Sequence, residues 1–284
     1  MANTIASRVY RDKYKSTTMQ MVLRDALVAE DICMVDRTDN KRIQNPYSSQ
    51  PTATVQAIAG TYSVSEYQTT DDVLTVTDEV IYAEHIFDFE DILTNFDLWS
   101  TRMDELAYSV AERIDHFVLN SLCEDATGTY TTPTGGFTTA SNINSIMANL
   151  SSKVAGYSQA FGDQFLVIEN TDLVGFQVAG ATNGFNTADD VIRNGRVGRW
   201  MGIDIYVVRS GTFVDATIGT KTVTNAGHRV FGVKNVATYA SPRGIRHEEK
   251  SVTGKTGMEL VTFGYIGFKL WTQKAGLVVD ITLA

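Results

Sequence analysis

Residues 89–125 read Phe89-Glu-Asp-Ile-Leu-Thr-Asn-Phe-Asp-Leu-Trp-Ser-Thr-Arg-Met-Asp-Glu-Leu-Ala-Tyr-Ser-Val-Ala-Glu-Arg-Ile-Asp-His-Phe-Val-Leu-Asn-Ser-Leu-Cys-Glu-Asp125. Neither Gly nor Pro, the two strongest helix breakers, interrupts the run. Apolar residues recur at Ile92, Phe96, Trp99, Met103, Leu106, Val110, Ile114 and Phe117. Steps of three and four make one stripe of a helix. Asp88, Glu90 and Asp91 fall at the positive end of its dipole. About 33 residues at ~1.5 Å each give a helix roughly 50 Å long, against a mean of about 11–12 residues. Such a helix is the spine of a whole molecule. Leu93, Leu98, Tyr108 and Val118 make the apolar surface wider than a coiled-coil seam.

Upstream of this helix the spacing predicts two β-rich runs, Thr52-Ala-Thr-Val-Gln-Ala-Ile-Ala59 and Val73-Leu-Thr-Val-Thr-Asp-Glu-Val-Ile-Tyr82. Thr69-Thr-Asp-Asp72 is a turn candidate between them. Together they read as a long two-stranded excursion, which is marginal in water without a surface to lie on. Residues 1–50 are polar and mixed and read as an arm. Within it Ser16 caps a short helix running to Glu30, with Met19, Leu23, Ala26 and Leu27 at helical spacing. Asn45-Pro-Tyr-Ser-Ser-Gln-Pro51 closes the arm with turn and extended chemistry.

Downstream, residues 126–284 have α+β texture. Ala126–Gly136 reads as a loop, and Asn142–Val154 as a helix with Ile143, Ile146, Met147 and Leu150 inward. Phe165–Glu169, Asp204–Val208, Arg229–Val233, Glu259–Phe263 and Gly276–Leu283 read as strands. Thr171–Ala179 and Thr187–Asn194 read as short helices, the second ended by Gly195.

The 284 residues are 43% hydrophobic, 20% charged and hold four Pro, enough to build a core and too apolar for global disorder. No stretch reaches the ~20 apolar residues of a membrane span, so no membrane partner is expected. The first residues lack the apolar core of a secretory signal. Cys33 and Cys123 lie far apart in apolar settings and read as two reduced thiols, without disulfide framework or zinc cluster.

The net charge of −9 is uneven. Residues 66–125 hold sixteen Asp/Glu and two Lys/Arg, a balance of −14, while residues 1–65, 126–250 and 251–284 come to +2, +2 and +1. Basic residues cluster at Arg8, Arg11, Lys13 and Lys15, and at Arg193, Arg196 and Arg199. Separated blocks of opposite sign make a chain complementary to its own copies. Asp71 and Asp72 are the acidic contact candidates, and Arg8, Arg11, Arg193, Arg196 and Arg199 the basic ones. The acidic block repels phosphates, which argues against nucleic-acid binding there.

Chemistry-bearing motifs are sparse. The four histidines are His85, His116, His228 and His247, and none has a second His at zinc-ligand spacing. His116 reads as a helix-surface residue, and His247-Glu-Glu249 as part of a loop. No nucleophile elbow, P-loop or dinucleotide fingerprint occurs. Asn194-Gly-Arg-Val-Gly-Arg-Trp-Met-Gly202 is a turn-rich passage and a poor phosphate cradle, since no strand leads into it. Asp189-Asp190 and Glu248-Glu249 are adjacent, unlike the opposed carboxylates of a glycosidase. Catalytic, cofactor and metal residues are therefore expected to be none.

The element order, arm, β-excursion, long uninterrupted helix, mixed α/β region and returning strands, resembles that of tailed-bacteriophage major capsid proteins. Their fold, called HK97-like, is shared by encapsulins and herpesvirus capsid floors. Ala111-Glu-Arg-Ile-Asp-His-Phe-Val-Leu resembles the end of the family's spine helix, and Phe165-Leu-Val-Ile-Glu-Asn the strand that opens its axial domain. Gly195-Arg-Val-Gly-Arg-Trp-Met-Gly-Ile-Asp-Ile-Tyr-Val-Val resembles a further family passage.

The resemblance implies an N-terminal arm over 1–50 and an E-loop over 51–87. It implies a spine helix with peripheral domain over 88–150, an axial domain over 151–249, and a return to the peripheral domain over 250–284. It further implies a virion subunit assembled in the host cytoplasm into hexamers and pentamers of an icosahedral shell around double-stranded DNA, contacted non-specifically. Only about fifty residues precede the excursion, which points to a separate scaffolding protein or a removed propeptide. Portal and decoration proteins are implied partners, and Lys–Asn cross-linking is marked by no particular pair. An encapsulin-like compartment shell and a soluble enzyme with an unrecognised site are the alternatives.

Overall fold

The computed structural model describes residues 28–48, 53–58, 60–61, 64, 69–86, 98–156, 163–182, 196–251, 254 and 256–284. The expected helices at 16–27 and 187–194, and the expected helix start at 88–97, lie outside these.

Helix α1 (Val28–Ile32) and strand β1 (Met34–Asp36) are followed by β2 (Arg42–Ser48), β3 (Thr69–Thr75) and β4 (Asp78–Ile86). The long helix α2 spans Leu98–Asp125. After it come β5 (Gly128–Thr131), α3 (Ala140–Val154), β6 (Gln164–Glu169) and α4 (Leu173–Thr182). Strands β7 (Arg196–Trp200), β8 (Ile203–Val208), β9 (Asp215–Ile218), β10 (Lys221–Thr224) and β11 (His228–Val233) follow. The last are β12 (Ala237–Ala240), β13 (Arg246–Ser251), β14 (Met258–Leu270) and β15 (Val278–Thr282).

A six-stranded sheet in the order β5-β15-β11-β6-β8-β7 divides two apolar cores. Alternate residues of each strand go to opposite faces. Phe165 and Val167 of β6, Val230 of β11 and Val278 of β15 join the core that holds the end of α2. Their neighbours Leu166, Ile168, Phe231 and Val279 join the core beneath α3 and α4. This explains why Phe165-Leu-Val-Ile is unbroken apolar sequence: both faces are covered. On α3, Ile143, Ile146, Met147 and Leu150 all face inward, as their spacing predicts.

The second large sheet runs β1-β12-β14-β13, with β4 paired to the other edge of β14. It packs against α2, whose Leu106, Val110, Ile114 and Phe117 are buried as the stripe predicts. Beyond Phe117 the helix is buried on other faces too, at Val118, Leu119, Leu122 and Cys123. Asn120, also fully buried there, is satisfied entirely by the chain. Its amide donates to the carbonyls of His116 and Thr212, both at 2.7 Å, and its oxygen accepts the Val214 N–H at 3.2 Å. Asn225 donates to the Asn120 carbonyl at 2.8 Å.

Several expectations are corrected. The two-stranded excursion is β2 paired with β3, in register from Arg42–Thr75 to Ser48–Thr69. It does not pair Thr52–Ala59 with Val73–Tyr82: residues 53–58 contain no strand. Alternating small residues in that run mimic a strand but offer little side chain to pack. The supposed turn Thr69–Asp72 lies inside β3, and the change of direction comes at Val76 and Thr77. Asn45-Pro-Tyr lies within β2, where proline is tolerated because the strand is at an edge. Ala126–Gly136 contains β5, Arg196–Trp200 is a strand, and His247 lies in β13. β5 is recruited by β15, far along the chain, while β7 and β13 each pair with the strand that follows them. Residues Thr272–Leu277 form a 3-10 segment, so the last strand begins at Val278.

Gly175 of α4 lies where a Cβ would overlap the Phe137 carbonyl oxygen. Gly175→Ala is expected to cost about 1–3 kcal/mol in urea unfolding, the usual range for overpacking. Gly156→Ala, with open space around it, is expected to stay within about 0.5 kcal/mol.

Candidate assembly surfaces

The β2–β3 hairpin is held firmly at its root and uncovered beyond it. Leu74 and Val76 pack with Ala240 and Trp271 in a small core of their own. Trp271 donates from its indole N–H to Thr238 at 2.9 Å. Asp72 is buried; its carboxylate meets Lys269 at 3.1 Å and accepts the Thr272 N–H at 2.8 Å. Gln273 donates to the Ser48 carbonyl at 2.6 Å. Trp271–Gln273 thus grips both strands. Burial works to raise the Asp72 pKa, but the bonds from Thr272 and Lys269 overcome it and hold the carboxyl below its ordinary value. Farther out, Val55 and Ile58 are fully exposed, at 103% each.

Asp72 is therefore committed to its own chain, while its neighbour Asp71 is exposed on β3. Four further members of the acidic block are likewise answered internally. Asp78 accepts from the Thr220 backbone at 2.6 Å, Glu112 meets Arg209 at 3.4 Å, and Asp125 meets Lys221 at 2.6 Å. Asp115 is buried and accepts from the amides of α1. The −14 balance is thus less available to a partner than the residue count implies.

Among the basic candidates, Arg8, Arg11 and Arg193 lie outside the described residues. Arg196 opens β7, with its backbone beside Tyr206. Arg199 donates from Nε to the buried Asp204 carboxylate at 2.7 Å and reaches Asp163 at 3.4 Å. Lys234 meets the other Asp204 oxygen at 2.8 Å. Burial works against the Lys234 charge, but Asp204 and Tyr206 overcome it and raise its pKa. The Arg199 side chain is still largely exposed, so it anchors β7 while presenting its outer edge.

An apolar sheet face is a surface that charge reasoning missed. Ile81 of β4 lies opposite Phe263 of β14, and Tyr265 follows two residues on. Ile81 is 60% exposed and Tyr265 47%. Phe263 and Tyr265 meet edge to face at 6.2 Å. The sequence signal was present in Val80-Ile-Tyr and Phe263-Gly-Tyr-Ile, but which face meets α2 is fixed only by register.

Among the described residues no cluster of three His, Cys, Asp or Glu has metal-binding proximity. His116 is half-buried, and burial, with Arg113 beside it, lowers its pKa. Cys33 and Cys123 are buried free thiols whose pKa values burial pushes up. Asp280 accepts from His228 at 2.8 Å in a half-buried pair, and Arg229 is held between Glu169 and Asp172 in a buried network.

No protein-family model matches the chain, and no curated sequence does. Solved structures do match. The capsid of Cyanophage P-SCSP1u superposes with a TM-score of 0.66 at 13% identity, over 91% of this chain and 88% of that one. The chain has a phage capsid fold. The mature capsid of bacteriophage PhiM1 superposes at 0.64 and 12% identity, over 89% and 85%. The virus-like particle from Pyrococcus furiosus superposes at 0.63 and 9% identity, over 96% and 99%.

Because the folded-state pKa of Asp72 is depressed, its stabilisation is complete above the ordinary value near ~3.9 and is lost as pH falls through the folded value. Asp72→Ala also strands Lys269 and the Thr272 N–H. It is expected to cost about 1–3 kcal/mol at pH 7, and the deficit in urea unfolding should shrink below about pH 4.

Proposed function

We propose that this chain is a tailed-phage major capsid protein of the HK97-like kind, a structural subunit and not an enzyme. Copies self-assemble into hexamers and pentamers of an icosahedral head enclosing double-stranded DNA. The observation that carries this reading is the hairpin: fixed at Asp72 and Leu74, it carries fully exposed Val55 and Ile58. An extended element with unburied apolar side chains gains its stability from contact with another surface. The capsid fold supports a second copy as the source of that surface.

In this reading α2 is the spine, β2–β3 with the residues they enclose is the E-loop, and α4 and β6–β8 belong to the axial domain. The exposed face around Ile81 and Tyr265 meets a neighbouring subunit. Asp71 and the outer edge of Arg199, with Arg8, Arg11, Arg193 and Arg196, provide polar contacts between copies. A scaffolding protein, a portal and a decoration protein are the partners such a shell uses, and the mature location is the virion after assembly in the host cytoplasm.

Electron microscopy of the purified protein is expected to show closed shells or tubes. Val55→Asp with Ile58→Asp should leave the thermal midpoint within about 2 °C, since both side chains are already in water, while abolishing shells. A monodisperse small oligomer from the unaltered chain, or shells from the double variant at unchanged yield, would refute the reading. Early assembly should also slow as salt rises from 0.05 to 0.5 M, over which screening shortens from roughly 14 Å to 4 Å.

The likeness to the Pyrococcus furiosus virus-like particle over nearly all of both chains favours a second reading, a protein compartment shell. Shells isolated from the native source would then carry protein cargo and no packaged DNA.

A further inference from the structure

Asp115 of α2 joins the long helix to the segment that precedes the hairpin. Its Oδ2 accepts the Val28 N–H at 3.0 Å and its Oδ1 the Ala29 N–H at 2.9 Å. The carboxylate thus caps the first turn of α1 from another helix, answering donors that a first turn leaves open. Ala29, Ile32 and Cys33 from the segment, Ala111 and Ile114 from α2, and Tyr239 from β12 belong to the same buried core.

The charged groups facing this carboxylate share its sign. Glu30 and Asp31 of α1 both act to keep it protonated. The Cys33 thiol and the Tyr239 phenol, the latter pushed up to about 12 first by burial, are neutral at neutral pH. The nearby cations are engaged elsewhere: Arg37 holds Glu30 at 2.8 Å, and Arg209 holds Glu112 of α2 at 3.4 Å. Lys234 binds Asp204 and Tyr206, whose hydroxyl meets Asp31 at 3.5 Å. Arg113 is exposed on the far side of α2. Among the described residues no Lys, Arg or His forms an ion pair with Asp115. Its ionised form is therefore buried with two N–H donors and two like charges, a costly placement.

We propose that docking of Val28–Asp36 onto α2 takes up a proton at Asp115, which makes this segment a latch that mild acid tightens and mild alkali loosens. Burial first, then Glu30 and Asp31, raise the docked carboxyl to about 7 despite the bonds from Ala29 and Val28. Released, it returns to water and an ordinary value near ~3.9. The docked value is the higher one, so the proton's contribution is complete below about pH 4 and is lost as pH rises through about 7. Protonation makes a hydroxyl of one of the two accepting oxygens and weakens the bond from one α1 amide, and in exchange it sheds the charge that no cation answers. Contacts outside this chemistry, the Asn235 N–H on the Ile32 carbonyl at 2.9 Å and the Ser241 N–H on the Asp36 carbonyl at 2.8 Å, set a floor that pH does not change. The latch belongs to the single chain and does not depend on shell assembly.

Amide hydrogen exchange of the full chain, corrected for the intrinsic pH dependence, tests this on a peptide covering 28–36. Protection should rise roughly ten- to thirtyfold from pH 7.5 to 5.5, while a peptide from α3 stays level. Asp115→Asn should remove the rise, and Glu30→Gln with Asp31→Asn should move it to lower pH. Protection that is flat or falls on acidification, or a rise that persists in Asp115→Asn, would overturn the proposal. Should Asp115→Asn fail to fold, the double variant decides: a rise left at its original pH refutes the role of Asp115.

Discussion

A helix of 28 residues presents more apolar surface than any single neighbour can cover. That constraint organises the molecule. The stripe from Leu106 to Phe117 is met by the sheet containing β4 and β14, and the end from Val118 to Cys123 enters the core behind the six-stranded sheet. Segments as distant as 28–33 and 275–278 contribute to one cluster around it. Sheets that would be separate layers in two smaller proteins are thereby fixed to one shaft.

Apolar contact sets how much is buried; a few polar side chains set where each part sits. Asn120 is a buried amide on a helix, and its bonds to the 212–214 turn and to Asn225 are satisfied only in one rotation and height of α2. Asp72 does the same for the hairpin root, where the bond to Thr272 aligns β3 with the turn after β14. An unmet polar group at either place costs more than the bond itself contributes, so near-alternatives are penalised and the observed docking is singled out. Buried polar groups of this kind thus add uniqueness of docking to total stability.

The helices and the doubly covered strands were legible because their signals are local. The stripe on α2, the inward residues of α3 and the apolar run of β6 each follow from spacing alone. What was not legible depends on pairing and not on local pattern. β5 is a strand because the remote β15 lies beside it, and β13 because the following strand β14 does. The hairpin was placed a few residues late because Thr52–Ala59 alternates without substantial side chains, while Asn45-Pro-Tyr-Ser suits an edge strand that proline statistics disguise. Counting charges located the acidic block but not its internal partners, since Thr220, Lys221 and Lys269 come from far downstream. The apolar face at Ile81 and Tyr265 was hidden because register, which sequence does not print, decides which alternate residues meet water.

Strand β15 lies between β5 and β11, in the interior of the six-stranded sheet. Its partners are complete some fifty to one hundred fifty residues earlier in the chain. During synthesis, therefore, α2 and α3 emerge with one wall of their cores missing, and the sheet closes only when Val278–Thr282 leaves the ribosome. The order of translation itself delays the finished fold: a nascent chain carries exposed hairpin and long-helix surfaces while still unable to hold them in place. Premature association between growing chains on neighbouring ribosomes would trap that state, so chaperone cover becomes part of how the fold is reached.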